Sequence, residues 1–213
     1  MARLAKPIKT GGRNPQRTRE KILTAALKEF AAHGVAGARV DAIARQAAVN
    51  KRMLYHYFGS KRGLFREVLR RKITERRALI EGASGDPAEN LPFRFSIMCR
   101  DLDWVRLLGW EAVQFNGEKI FEEKFRRAGM ARARARARRE QAEGLLSSKF
   151  AAGHLLLAKL SLAMFPTAFP QMTRLITGKA VRDPAFQRDY AEFLKHFAMA
   201  FRPAARPGKP AGH

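Results

Sequence analysis

Cysteine is nearly absent: Cys99 stands alone among 213 residues. One thiol excludes an internal disulfide and fits a reducing compartment, where an isolated cysteine is ordinarily a small buried hydrophobe. Acidic residues are scarce as well, 19 against 42 Lys and Arg, for a formal charge of +23. Such a balance points to an anionic partner. No apolar run is long enough to span a membrane, because the most apolar stretch, Leu155 to Phe169, is interrupted by Lys159 and Pro166. The N-terminal region has no apolar segment of the secretory kind and instead carries Gly11-Gly12 and Asn14-Pro15. A soluble, cytoplasmic protein without membrane contact is expected. His33, His56, His154, His196 and His213 lack metal-ligand spacing, and neither a Gly-rich phosphate loop nor a nucleophile elbow occurs. No metal, cofactor or enzymatic activity is therefore expected.

The positive charge is unevenly placed. Residues 1–82 hold 20 basic and 6 acidic residues, a net of +14, and residues 83–213 a net of +9. Of that +9, residues 119–139 supply +7 and residues 202–213 supply +3, so the remainder is near neutral. A basic part joined to an almost neutral body suggests two different tasks.

Strand-like alternation appears only in Ala131-Arg-Ala-Arg-Ala-Arg-Ala-Arg-Arg139. Alanine is the best helix former and a poor strand former, so this run is helical and the fold class is all-α. Arg132, Arg136 and Arg139 then share one face and Arg134 and Arg138 the other. Their simplest role is a solvated face paired with Glu140, Glu143 or neighbouring acids. A second nucleic-acid surface or a site for an acidic effector is the alternative.

Residues 1–13 read as a disordered basic arm. Asn14-Pro15 starts a helix whose apolar face is Ile22, Leu23, Ala26, Leu27 and Phe30, and Gly34 ends it. Ser60 caps a helix running to about Glu81, and Gly82-Ala-Ser-Gly-Asp-Pro87 marks a boundary between a domain at 14–82 and one at 83–202. Beyond it, helices are expected over Leu91–Phe115, Lys119–Glu143 and Ser148–Phe165. A turn bracketed by Pro166 and Pro170 precedes a short helix to Gly178, and the last helix starts at Asp183-Pro184. Residues 203–213 read as a flexible tail.

Two short helices joined by a tight bend lie within residues 40–61. Ile43, Ala44 and Ala47 form the stripe of the first; Val49 fills the bend and Asn50 suits the N-cap of the second. Leu54 and Phe58 point inward, leaving Lys51, Arg52, Tyr55, His56 and Tyr57 outward. An exposed face of cations, phenols and an imidazole suits the DNA major groove.

In order, Thr18-Arg-Glu-Lys-Ile-Leu-Thr-Ala-Ala, Phe30-Ala-Ala-His-Gly34, Ile43-Ala44, Leu54-Tyr-His-Tyr-Phe-Gly-Ser-Lys61 and Leu64-Phe65 resemble the DNA-binding domain of the TetR family of transcriptional regulators, with matching spacing. The chain departs from that pattern at Ala38-Arg39, where the family has Thr or Ser, at Ala48, where it has Gly, and at Met53, where it has a small residue. The resemblance implies an N-terminal three-helix helix-turn-helix domain and a C-terminal helical domain for ligand binding and dimerisation. It implies a homodimeric repressor, nucleoid-associated when bound to an inverted-repeat operator in double-stranded DNA. Lys51, Arg52 and Tyr55 would lie nearest base edges, and Met53 would make any base contact there apolar. His56 would belong to the same DNA-binding face, and Arg39, Tyr57 and Lys61 would contact phosphates. Arg3, Lys6, Lys9 and Arg13 of the arm would add sequence-independent attraction. Ser148–Phe165 and Asp183–Phe201 would form the dimer interface. A small hydrophobic effector would be lined by Trp104, Leu108, Trp110, Phe115, Phe121, Met164 and Phe165. The alternative is a sequence-indifferent architectural nucleic-acid-binding protein, favoured by the net charge and the Arg-Ala run.

Overall fold

The structure, a computed structural model, describes residues 15–115 and 120–203. The basic arm, the Asn14 cap, the Asn116-Gly117 break and the tail from residue 204 lie outside the described residues. Those described form ten helices and no strand, and they pack as two units that divide between Val68 and Leu69.

The first unit holds α1 (Pro15–Gly37), α2 (Val40–Gln46), α3 (Lys51–Phe58) and the start of α4 (Lys61–Glu81). Ile22, Phe30, Ile43, Leu64 and Phe65 are fully enclosed, and Leu54 is only 2% exposed. The Phe30 and Phe65 rings meet edge to face at 5.2 Å, an arrangement favoured by the aromatic quadrupole. Gly34 does not stop α1 but kinks it: its φ is 65° and one further turn continues to Gly37. Glycine is also required at Gly63, where a Cβ would stand 2.1 Å from the Phe58 carbonyl oxygen.

The second unit contains the rest of α4 with α5 (Pro87–Arg100), α6 (Leu102–Gln114), α7 (Glu123–Ala142), α8 (Ala152–Ala168), α9 (Pro170–Thr177) and α10 (Pro184–Ala200). Leu91 and Phe95 of α5, Ala163 of α8 and Phe186 and Leu194 of α10 build its core. Cys99 packs against this core, where burial pushes its thiol up to about 11. That suits an inert structural residue.

Several helix limits differ from expectation: α5 starts at Pro87 rather than Leu91, and α7 at Glu123 rather than Lys119. Leu91–Phe115 is two helices, because Asp101 ends α5 and caps α6: its carboxylate accepts from the Trp104 N–H at 3.4 Å and is held by Lys72 at 2.6 Å and Arg76 at 3.3 Å. Ser148 is not a cap. The Gln141 side-chain amide donates to the Ser147 and Phe150 carbonyls, so the chain stays irregular until α8 begins at Ala152. Pro166 lies inside α8 rather than in a turn. A proline there supplies no N–H to the carbonyl four residues earlier, and the Tyr190 hydroxyl donates to that Leu162 oxygen at 3.0 Å instead. His154 is exposed at the start of α8. No single helix among the described residues is long and apolar enough to cross a membrane; α8 and α9 meet that test only as a pair bent by 91°.

Ala48 occupies the left-handed region with φ 54°, which disfavours an L residue by about 1–2 kcal/mol. Glycine relieves this strain but gives the unfolded chain more freedom. Ala48→Gly is expected to raise stability by up to about 1 kcal/mol, read in chemical denaturation of the full chain. A clear loss of stability would show that the site is unstrained.

Candidate nucleic-acid interface

The bend between α2 and α3 is built from local signals. The Ala47 N–H bonds the Ile43 oxygen at 2.9 Å and closes α2, Ala48 turns the chain, and the Val49 N–H bonds the Ala44 oxygen at 3.0 Å. The Asn50 side chain then accepts the Met53 N–H at 2.8 Å, satisfying one of the orphan donors that open α3. At the other end Gly59, at φ 71°, closes α3 through a bond from its N–H to the Tyr55 oxygen at 2.8 Å. The Ser60 hydroxyl accepts the Gly63 N–H at 2.9 Å and starts α4.

Two longer contacts fix α2 against its surroundings. Glu29 of α1 accepts the backbone N–H of Arg39, the N-cap residue of α2, at 2.9 Å, while α2 itself has no side-chain cap. The Lys61 ammonium donates to the Ala36 and Ala38 carbonyls at 3.0 and 3.1 Å, tying the start of α4 to the end of α1. Arg19 pairs with Glu67, and its guanidinium lies 5.5 Å from the centre of the Phe58 ring.

The outward face of α3 carries Lys51, Arg52, Tyr55 and His56, all exposed. Tyr57 is half-buried between the rings of His56 and Phe58, at 5.6 and 6.1 Å. Met53 is half-buried as well, and Arg39 is exposed at the N-cap of α2. Lys51 reaches Asp41 in the first turn of α2, at 3.0 Å, and that hydrogen bond raises its pKa above the ordinary lysine value. Asp41 sits ten residues before Lys51, and its grip on that side chain depends on the angle between the two helices.

In the second unit, the residues singled out for a ligand fall into separate groups. Phe115 and Phe121 meet edge to face at 5.1 Å, and the Phe121 N–H bonds a buried Glu111 carboxylate at 3.0 Å that also pairs with Arg126. Trp104 is buried beneath the Arg76 guanidinium, 5.4 Å from its ring centre. Leu108, Trp110 and Met164 are half-buried. Phe165 is 43% exposed and packs on Phe169 at 5.2 Å, at the corner between α8 and α9. Among the described residues, no group of three or more His, Cys, Asp or Glu side chains is placed to hold a metal ion.

Residues 22–68 match the family model for bacterial regulatory proteins of the tetR family, and residues 94–193 match that for the tetracyclin repressor-like C-terminal domain. The HTH-type transcriptional repressor SCO4008 of Streptomyces coelicolor is 32% identical over 166 residues, covering 78% of this chain and 86% of its own. The repressor NicS of Pseudomonas putida is 51% identical over 63 residues, 29% of this chain and 30% of its own. The crystal structure of the putative transcriptional regulator SCO4942 from Streptomyces coelicolor is 30% identical with a TM-score of 0.70, covering 84% of this chain and 97% of that one.

Removing the α3 cap should loosen the exposed face without touching any of its side chains. Asn50→Ala is expected to lower stability by about 1 kcal/mol. Thermal unfolding checks this, and Asn50→Ser, which keeps a capping oxygen, should restore most of the loss.

Proposed function

This chain belongs to the TetR family of transcriptional regulators, and as a DNA-binding regulator built on that fold we propose that it is a homodimeric repressor. It reads an inverted-repeat operator through α3 and leaves it when a small hydrophobic ligand binds the second unit. The observation that carries this reading is the outward set Lys51, Arg52, Tyr55 and His56 on a helix capped at both ends. Arg52 offers a fork of donors to a guanine edge, and Tyr55 combines an apolar ring with a hydroxyl, so these two read sequence. Lys51 lies beside them toward the base edges, while Arg39, Tyr57 and Lys61 serve the phosphates, with Lys61 exchanging a carbonyl contact for a phosphate oxygen. Met53 supports base contact by apolar packing. In the second unit Trp104, Leu108, Trp110, Phe115, Phe121 and Met164 supply apolar surface for the ligand, with Phe165 at its outer margin. By linkage, a ligand that weakens operator binding is itself bound more weakly when the operator is present.

Exposed apolar groups support self-association through α8 and α10. Leu157 is 63% exposed, and Phe193 is 48% exposed; uncovered side chains of this size on neighbouring helices suit a protein interface. A net charge of +23 favours the second reading, a sequence-indifferent architectural binder, which has neither operator nor effector.

Selection of binding sites from random DNA separates the two. An enriched inverted repeat with half-site centres about 34–36 Å apart, or slightly more, is expected; no enrichment would favour the architectural reading. On the enriched site Arg52→Ala or Tyr55→Ala should lose about 1–3 kcal/mol and little on random DNA. Lys61→Ala should weaken both and reduce the salt slope by about one. The same profile for Arg52→Ala and Lys61→Ala would reverse the assignment of roles.

Light scattering tests assembly. Leu157→Glu and Phe193→Glu, both at exposed positions, should each convert a dimer into folded monomer. Two intact dimers would place the interface on other helices.

A further inference from the structure

The Arg-Ala run of α7 was singled out by its composition and has no part in the reading above. One of its members leads into the interior of the second unit. Arg136 donates to the Glu140 carboxylate at 3.1 Å and to the Ile80 and Ser84 carbonyls at 3.1 and 2.7 Å. Glu140 is only 5% exposed, and its other oxygen takes the Lys159 ammonium of α8 at 2.6 Å. Both oxygens of this buried carboxylate are thus occupied.

A third cation is left over. Arg94 of α5 is 9% exposed, and its one hydrogen bond among the described residues runs from Nε to the Asn90 side-chain oxygen at 2.6 Å. Asn90, 2% exposed, is oriented in turn by donating to the Ser84 carbonyl at 3.1 Å. No carboxylate of the described residues pairs with Arg94, so its two terminal nitrogens, the half of the guanidinium shaped for bidentate recognition, have no partner. Neither nitrogen is sealed from water. Three cations therefore surround one carboxylate that serves only two of them. A charge in such surroundings is held against a desolvation penalty unless an anion completes it. Consistent with this, burial and the nearby Arg136 push Arg94 down to about 10, and burial also lowers Lys159.

Apolar groups adjoin the cluster along α5. Asn90, Arg94 and Met98 repeat at four-residue spacing and share a face. The Met98 sulfur lies 3.0 Å from Arg76, whose guanidinium covers Trp104. The apolar neighbour of Arg94 on this face is therefore Met98, one turn further along α5.

We propose that Arg94, supported by Asn90 and by the excess positive charge of Arg136 and Lys159, is an anion-binding site for the carboxylate of an organic acid whose body is apolar or aromatic. The site deepens the effector reading, on which it rests for its regulatory meaning. It replaces a purely hydrophobic ligand by an amphipathic acid. The Arg94 fork receives both carboxylate oxygens, a geometry that Lys cannot offer.

The test uses the full chain without DNA. Benzoate and octanoate are compared with benzyl alcohol and 1-octanol, and with sodium sulfate, by thermal unfolding and calorimetry. At least one acid should stabilise the protein in a concentration-dependent way, with its matched alcohol about tenfold weaker or more, a difference of about 1.4 kcal/mol. Arg94→Met should abolish that preference. It also takes the donor from the buried Asn90 oxygen and so costs some stability in plain buffer. The decisive readout is therefore the acid-over-alcohol ratio, which replacing a residue that serves only the fold would leave unchanged. Lys159→Met, which leaves Glu140 paired with Arg136, should weaken the acid and not the alcohol.

Equal effects of acids and alcohols, no stabilisation by either acid, or a full effect of sulfate alone would each overturn the proposal. So would a destabilised Arg94→Met that still prefers the acid. Should Arg94→Met fail to fold, the wild-type comparison and Lys159→Met still decide. Anisotropy of a labelled operator is measured separately. An acid that binds through Arg94 and leaves operator affinity unchanged would defeat ligand-controlled release while the site stands. DNA binding without any response to the acids would leave the regulator reading intact and remove the site.

Discussion

The exposed face of α3 is useful only if its first residue leaves the bend at a set angle, and three residues of the bend fix that angle. Ala47 closes α2, Ala48 reverses the backbone at φ 54°, and Asn50 accepts the first free N–H of α3. The α2–α3 pair is held from outside by Glu29, Lys61 and the enclosed Ile43 and Leu54. Because this frame carries the polar surface on rigid elements, Lys51, Arg52, Tyr55 and His56 need no inward packing of their own. A slip of one residue at Asn50 would rotate every outward side chain by about 100° and turn Leu54 toward water.

Much of the fold was legible because its signals are local. Asn50, Ser60 and Asp183 declare helix starts within three residues of themselves, and each was found in that role. Gly178, a left-handed residue, ends α9 as read. What stayed hidden depends on distant partners. Asp101 breaks α5 from α6 because Lys72 and Arg76 stand beside it. Pro166 is tolerated inside α8 because Tyr190, on another helix, fills the gap in hydrogen bonding. Most candidate DNA-contacting residues were readable as a set because α3 carries them; Arg39 and Lys61 lie outside it, at the starts of α2 and α4. The candidate ligand residues were not, because their grouping depends on how α5 to α8 pack; composition identified bulky side chains but not which of them meet.

The two units use positive charge in opposite ways. In the first, Arg39, Arg45, Lys51 and Arg52 are exposed, where water and salt screen them and the gain comes from a polyanion. In the second, Arg76, Arg94 and Glu140 are buried, and their energies depend on individual partners a few ångströms away. A single net charge for the chain conceals this division.

The pair between Lys51 and Asp41 has a bearing on how quickly the protein searches DNA. Both side chains remain largely in water, so the pair opens and closes on the time scale of surface side-chain motion. While closed it cancels one positive charge on the leading face of α3, which makes the protein less adhesive toward arbitrary sequence. On the proposed operator-binding reading, a site that draws Lys51 away would leave the Asp41 carboxylate unpaired beside the groove, where the DNA backbone repels it. Poorly fitting DNA would then be penalised more than well-fitting DNA.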